Sequence, residues 1–374
     1  MRIPPEFEQL FTVDRRSPPF ELARLVDREN AFVSCYLDMR GGKRPAIAFF
    51  DQKVGHIRDT LRGVERFHFD CASARVRNAV ETNWESGMQG MAIFTPGSEQ
   101  STNPIVIHSS TPLDNRLVRF AVPELLPLVA QQQGEPCFDL FWLQDGDDDV
   151  PTLRYFEDVG HTHAPRPFGS EKIAMLGFAG AKVASGRLGR SGLQRRDAEL
   201  RQSSSTATRP LMVAVGSEWL PYVADLMPDW ALDRLVGSVE GASADALAAV
   251  IGKARASLRA MCRETAARVA DVVATDDGLL GQPAVAGYRA ALDALLGGHA
   301  DAVFIADWDK PGRGLPNEAK IEVCMEALRR GVRVILAESS RLREGGGVAC
   351  LCRAAGQPLL MPEMDGFGGL ERVA

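Results

Sequence analysis

The stretch of this sequence best equipped for chemistry runs from Lys182 to Arg201. There Lys182, Arg187, Arg190, Arg195, Arg196 and Arg201 outnumber Asp197 and Glu199. Arginine carries forked N–H donors that grip phosphate oxygens, and glycines such as Gly186, Gly189 and Gly192 let a backbone come close to them. The chain as a whole has a net charge of −6. A surface of that sign does not coat nucleic acid, so an RNA contact has to come from a local basic patch of this kind. A solvated loop and helix face is the alternative reading of the same residues.

Other motifs fall short of a site. Asp145-Gly146-Asp147-Asp148-Asp149 opens like a calcium loop, but Val150 stands where that loop needs glycine and Phe156 where it needs an acidic ligand. It reads as a solvated hairpin turn. His161 and His163 lack a third metal ligand at a recognisable spacing. The glycines from Gly177 to Gly192 match neither phosphate-cradling motif, GxxxxGK[ST] or GxGxxG, and GxSxG and HExxH are absent. The seven cysteines are scattered without a CxxC pair, which fits reduced thiols. Cys350 and Cys352 would share one face of a strand, a poor geometry for a disulfide and an incomplete zinc set. No cofactor or metal is expected.

The elements that would hold the basic stretch follow from periodicity. After a helical start at FELARLVDRE, NAFVSCYLDM reads as a strand ending in a turn at Arg40-Gly41-Gly42-Lys43. Ala46, Phe49, Phe50, Val54, Ile57 and Leu61 then form a helical stripe. A second helix is expected over 72–84, and GMAIFTP and PIVIHSS read as strands. Gln131-Gln132-Gln133-Gly134 marks a boundary. CFDLFWL and TLRYFEDV read as a hairpin, residues 161–193 as a long irregular loop, LQRRDAELRQ as a polar helix, and PLMVAVG as a buried strand. A helix over 219–226 and the strand LVGSVEG follow. A long amphipathic helix is expected from an N-cap at Ser243 to Ala274. The last part predicts a helix over 284–296, the strand AVFIAD, a loop WDKPGRGLPN, a helix capped by Gly331, and the strands VRVILA and GVACLC. The expectation is α/β with three α/β domains: 1–133, 134–280 and 281–374. The central one is a mixed sheet carrying a long basic Gly-rich loop, and the C-terminal one is a small α/β sandwich. No apolar run reaches the length of a membrane helix and MRIPPEFEQL lacks a secretory pattern, so a cytoplasmic location without membrane contact is expected.

Three separated segments resemble the archaeo-eukaryotic peptide-chain release-factor superfamily, in the superfamily's order: VSCYLDM, then GLQRRDAEL followed by PLMVAVG, then AKIEVCMEALRRGVRVILAESSRLREGGGVACLCR. The match is to the bacterial branch and spans about Asn30 to Arg353. It implies a C-terminal domain like the kink-turn-binding ribosomal proteins. It also implies a first domain toward the decoding centre and a central loop toward the peptidyl-transferase centre. The superfamily's terminating members present Gly-Gly-Gln at that loop. Here the corresponding tip is Gly192-Leu193-Gln194, and leucine resists a positive φ and adds bulk. A stop-codon-reading Asn-Ile-Lys-Ser motif is absent from residues 1–133. The resemblance therefore implies a monomeric ribosome-binding factor of hibernation or rescue type that fills the A site without decoding, beside a translational GTPase such as elongation factor Tu. Lys182, Arg187, Gly189, Arg190, Arg195, Arg196 and Arg201 would contact ribosomal RNA, with Gly192 and Gln194 at the tip. Two alternatives stay open: peptidyl-tRNA hydrolysis through the degenerate tip, and a free-standing RNA-binding stress protein.

Overall fold

The structure is a computed structural model, and it describes residues 18–25, 31–97, 103–134, 136–144, 152–159, 166–172, 209–217, 229–241, 245–275, 282–306 and 317–353. Three sheets organise these residues, with helices packed against them, so the chain is α/β throughout. Among the described residues no helix is long and apolar enough to cross a membrane.

The first sheet has the order β3-β2-β1-β4 and is antiparallel, built from β1 (Phe32–Asp38), β2 (Gly90–Pro96), β3 (Ile105–Ser109) and β4 (Arg116–Phe120). Strand period decides its two faces. Val33, Cys35, Leu37, Met91 and Ile93 pack under α2 (Lys43–Thr60) and α3 (Gly63–Thr82), while Tyr36, Ala92 and Phe94 face the other way. That second face meets α1 (Pro18–Leu25), α4 (Leu126–Gly134) and the third sheet in one continuous apolar cluster.

The middle sheet is mixed, in the order β7-β6-β5-β8-β9. Its strands are β5 (Phe138–Gln144), β6 (Thr152–Val159), β7 (Arg166–Lys172), β8 (Leu211–Val215) and β9 (Leu235–Glu240), with α5 (Asp229–Leu232) leading into the last. β5 and β6 are antiparallel as the hairpin reading expects, whereas β5, β8 and β9 run parallel. Buried Asp139 at the start of β5 pairs with the Arg234 guanidinium just before β9. Arg234 Nε also donates to the Arg209 carbonyl at 3.0 Å, so three chain segments are tied at one end of the sheet.

α6 (Leu247–Val273) then runs across two sheets. Val250, Ile251, Ala254, Leu258 and Cys262 pack on the middle sheet; Ala266, Val269, Ala270 and Val273 pack on the third. The third sheet, in the order β10-β13-β11-β12, comprises β10 (Ala284–Ala286), β11 (Ala300–Ala306), β12 (Arg333–Ala337) and β13 (Val348–Cys352). α7 (Tyr288–Leu296) and α8 (Asn317–Arg329) cover one face, α6 and α9 (Ser340–Glu344) the other, giving the expected sandwich. Gly331, at φ 66°, ends α8 as anticipated: its N–H donates to the Leu328 carbonyl at 3.0 Å and that of Val332 to Ala327 at 2.8 Å. This is the paired bonding of a Schellman cap.

Several expectations are corrected. The second helix starts at Gly63, nine residues before the expected 72, because Phe69 and Ala72 continue its buried side toward the N-terminus. β4, α1's partner α4, and α9 were not anticipated as elements. Residues 284–286 form β10 and the helix begins only at Tyr288, since Gly287 at φ 91° breaks the helical run. β7 lies inside the span expected as irregular loop; Pro167 is tolerated there because β7 is an edge strand and the ladder shifts register opposite Tyr155 and Phe156. α6 begins at Leu247 with Ala246 at the cap position, and Ser243 lies outside the described residues. Gln131–Gly134, expected as a boundary, is the end of α4. There Gln133 Nε2 donates to the Val334 carbonyl at 2.9 Å and Oε1 accepts from Leu336 N at 3.1 Å. One carboxamide thus satisfies the open edge of β12, a role that a run of polar residues does not announce.

All seven cysteines are thiols rather than disulfides, and Cys35, Cys262, Cys324, Cys350 and Cys352 are buried. Burial pushes the thiols of Cys35 and Cys324 up and that of Cys262 to about 12. A hydrogen bond from Cys350 instead holds Cys352 down at about 7. In native protein at neutral pH, Cys71 and Cys137, the two partly exposed thiols, are expected to react with an aromatic disulfide reagent well before the other five. Mass mapping after partial labelling checks this; early labelling of Cys35 or Cys324 would contradict the fold.

Candidate nucleic-acid interface

Lys182, Arg187, Gly189, Arg190, Gly192, Gln194, Arg195, Arg196 and Arg201 all lie outside the described residues, as do His161, His163 and the Asp145–Asp149 run. What the structure gives is the frame that holds this segment. β7 is parallel to β5 through two antiparallel steps, and β8 is also parallel to β5. β7 therefore ends at one end of the sheet's strands and β8 begins at the other.

Among the described residues a separate cleft opens in the first sheet, at the N-terminal end of α3. Its volume is about 240 Å³, and its walls are Ala31 and Val33 of the β1 side, Val64, Glu65, His68 and Phe69 of α3, Gly97 after β2, and Arg119 of β4. Glycine is required at 97: its N–H donates to the Ala31 carbonyl at 2.7 Å, and a Cβ there would stand 2.9 Å from that oxygen. Arg119 Nη2, half-buried, lies 3.4 Å from exposed Glu65 Oε1 across the cleft, which places both signs of charge there. Phe67 is 49 % exposed and Val64 69 %, both on the first turns of α3, and the Phe67 and His68 rings lie 6.0 Å apart.

Outside the lining, two buried hydroxyls between β2 and α3 lack hydrogen-bond partners among the described residues. Thr95 pairs with Val33 in the sheet and so presents its side chain to the same face, where its Oγ1 is buried without a hydrogen-bond partner. Ser73 Oγ, one turn beyond Phe69 on α3, is likewise buried and unpaired. The lining combines a carboxylate, an imidazole and a guanidinium with an aromatic edge, and holds no serine, cysteine or lysine nucleophile. Such a lining can offer hydrogen bonds to planar or charged groups. Arg119 and His68 carry no motif that sequence reading could single out, since the cleft forms only where β4, β1 and α3 meet.

No protein-family model matches this chain, and no curated protein does. Solved structures give partial overlays. An archaeal translation termination factor is 15% identical over 92% of this chain and 100% of its own, with a TM-score of 0.24. Pelota from Archaeoglobus fulgidus is 14% identical over 71% of this chain and 79% of its own, at 0.31. Ribosome-bound archaeal Pelota, solved with ABCE1, is 11% identical over 90% of this chain and 93% of its own, at 0.37.

Proposed function

We propose that this chain is a ribosome-binding translation factor of hibernation or rescue type, which fills the A site without reading a stop codon. The observation that carries the reading is where the three resembling segments fall. Val33–Met39 contains nearly all of β1, Pro210–Gly216 contains β8, and Ala319–Arg353 builds most of α8 with β12, α9 and β13. Each sits at the core of a different sheet, in the superfamily's order. The cleft beside α3 is consistent with it, because the Arg119 guanidinium and the His68 imidazole in its walls can hydrogen-bond to a base or a phosphate. The basic stretch from Lys182 to Arg201 would supply phosphate contacts, and a translational GTPase such as elongation factor Tu is the partner class to test by pull-down.

Co-sedimentation with 70S ribosomes tests the proposal. Recovery with ribosomes at low salt is expected, together with a loss of affinity of about 10³-fold or more between 50 and 200 mM salt if roughly six or more phosphates are contacted. Protein that stays in ribosome-free fractions at low salt would overturn it. Wild-type protein is also expected to release no peptide from peptidyl-tRNA on purified ribosomes, since Leu193 replaces a required glycine. Release that disappears in Gln194→Ala would establish the hydrolase alternative instead.

A further inference from the structure

The cleft at the N-terminal end of α3 brings together a guanidinium and a carboxylate that are paired only loosely. Arg119 Nη2 lies 3.4 Å from Glu65 Oε1, whereas a charge-assisted N–H···O bond closes to about 2.7–2.9 Å. Among the described residues neither side chain has another polar partner. That single contact leaves most of the N–H donors of Arg119 and most of the lone pairs of Glu65 unused. Both groups line the cleft, and Glu65, with its side chain 64 % exposed, is reached from solvent.

Size and charge narrow what fits. The volume of about 240 Å³ lies below the ~300–1,000 Å³ of sites that take drug-sized ligands or whole cofactors, so the cleft suits a single ring system. An anion would be repelled by Glu65 and a cation by Arg119. A neutral ring with donors and acceptors along one edge satisfies both groups and leaves neither unpaired. Guanine is such a ring: its N1–H and 2-amino group donate toward a carboxylate, while O6 and N7 accept from an arginine fork. Adenine, cytosine and uracil each offer the carboxylate one donor group instead of two. Val33, Val64 and Phe69 supply apolar walls and His68 a planar one, which suits the faces of a ring. Gly97 keeps this space open, since a Cβ there would stand 2.9 Å from the Ala31 carbonyl oxygen and 3.8 Å from His68 Cβ.

We propose that this cleft is a guanine-binding site, in which Glu65 accepts from the N1–H and 2-amino group and Arg119 donates to O6 and N7. A free guanine nucleotide and a guanine splayed out of single-stranded RNA present the same edge. The site adds a ligand to the function proposed above without depending on it, because the selectivity belongs to the protein alone.

The full chain is titrated with GMP, IMP and AMP, followed by ligand-observed saturation-transfer NMR. IMP lacks only the 2-amino group; AMP lacks both the N1–H and O6. GMP is expected to bind about tenfold or more tightly than AMP, with IMP between them. Glu65→Gln keeps the size of an exposed helical side chain, so the fold is retained, and it is expected to erase the preference for GMP over IMP. Arg119→Met is expected to weaken GMP and IMP alike by about tenfold and leave their ratio unchanged. Glu85→Gln, exposed beyond the far end of α3, removes the same charge as Glu65→Gln and is expected to match wild type. Circular dichroism melts confirm folding of each variant. Fluorescein-labelled oligouridines carrying one central guanine or adenine, read by anisotropy, separate the sources. Selectivity among mononucleotides alone points to a free nucleotide, and selectivity that also appears in the oligouridines points to RNA. Equal affinity for GMP and AMP together with equal affinity for the two oligouridines overturns the inference, as does a GMP-over-IMP preference that survives in Glu65→Gln. Guanine selectivity in a protein that fails to sediment with ribosomes leaves the site standing and removes the ribosome reading; sedimentation without selectivity does the reverse.

Discussion

Replacing Arg116 by methionine is expected to lower the free energy of unfolding by about 3–5 kcal/mol, because it strands a carboxylate in the core. Glu124 is fully buried, and Arg116 reaches it with Nε at 2.7 Å from Oε2 and Nη2 at 2.6 Å from Oε1. The same residue is clamped through its backbone: its N–H donates to Ser34 Oγ at 3.0 Å and its carbonyl accepts from the Tyr36 hydroxyl. A carboxylate cannot escape to water from such a position. Burial already holds the Glu124 carboxyl above its usual range, and Arg116 pulls it back down. With the guanidinium removed, folded Glu124 binds its proton more tightly still. A group whose folded pKa is raised contributes stability that is present below the unfolded value and lost as pH rises through the folded one. The Arg116→Met protein should therefore approach wild type in acid and diverge from it as pH rises toward neutrality. Urea unfolding over a pH series measures this. Pairing the change with Glu124→Leu should recover most of the loss; a neutral-pH deficit below about 1 kcal/mol would show that the pair is not buried as described.

Tyr36→Ala is expected to cost a further distinct amount, about 3–5 kcal/mol, and to loosen two sheets rather than one. Tyr36 lies on β1, fully buried, with its ring edge-on to Phe94 at 5.7 Å and 86°. It belongs to the apolar cluster that also contains Cys324 and Leu328 of α8 and Leu126 and Val129 of α4. Truncation removes the ring from that shared core and unpairs the Glu124 carbonyl as well. Arg329 Nε, donating to the Ala23 carbonyl at 3.0 Å, and the Gln133 bridge to β12 tie the same two units. Hydrogen exchange followed by mass spectrometry should show peptides from both β1–β2 and α8 losing protection in the variant. Protection lost in β1–β2 alone would mean that the two sheets do not share a core.

Legibility in the sequence followed the physics of each element. β1, β8, β11, β12 and β13 are short apolar runs bounded by polar or turn residues, and they are readable because a buried strand has that signature. α6 was readable from its stripe, and the end of α8 from Gly331, whose positive φ excludes most other residues. β7 was not, because an edge strand with Arg166, Pro167 and Gly169 lacks apolar alternation in sequence. α4 escaped for a related reason, since its burial comes from contacts with α1 and the third sheet; β4 buries only Leu117, under α2, and so has little apolar pattern of its own.

The sequence by itself determined the α/β class, the reduced thiols, the alternation of elements and the basic stretch from Lys182 to Arg201, since these depend on composition and on periods of two and 3.6 residues. The cleft around Arg119 and Glu65, the role of Gln133 and the burial of Glu124 were decided only by tertiary structure. Each depends on residues far apart in sequence meeting in space, and local propensity is silent on that.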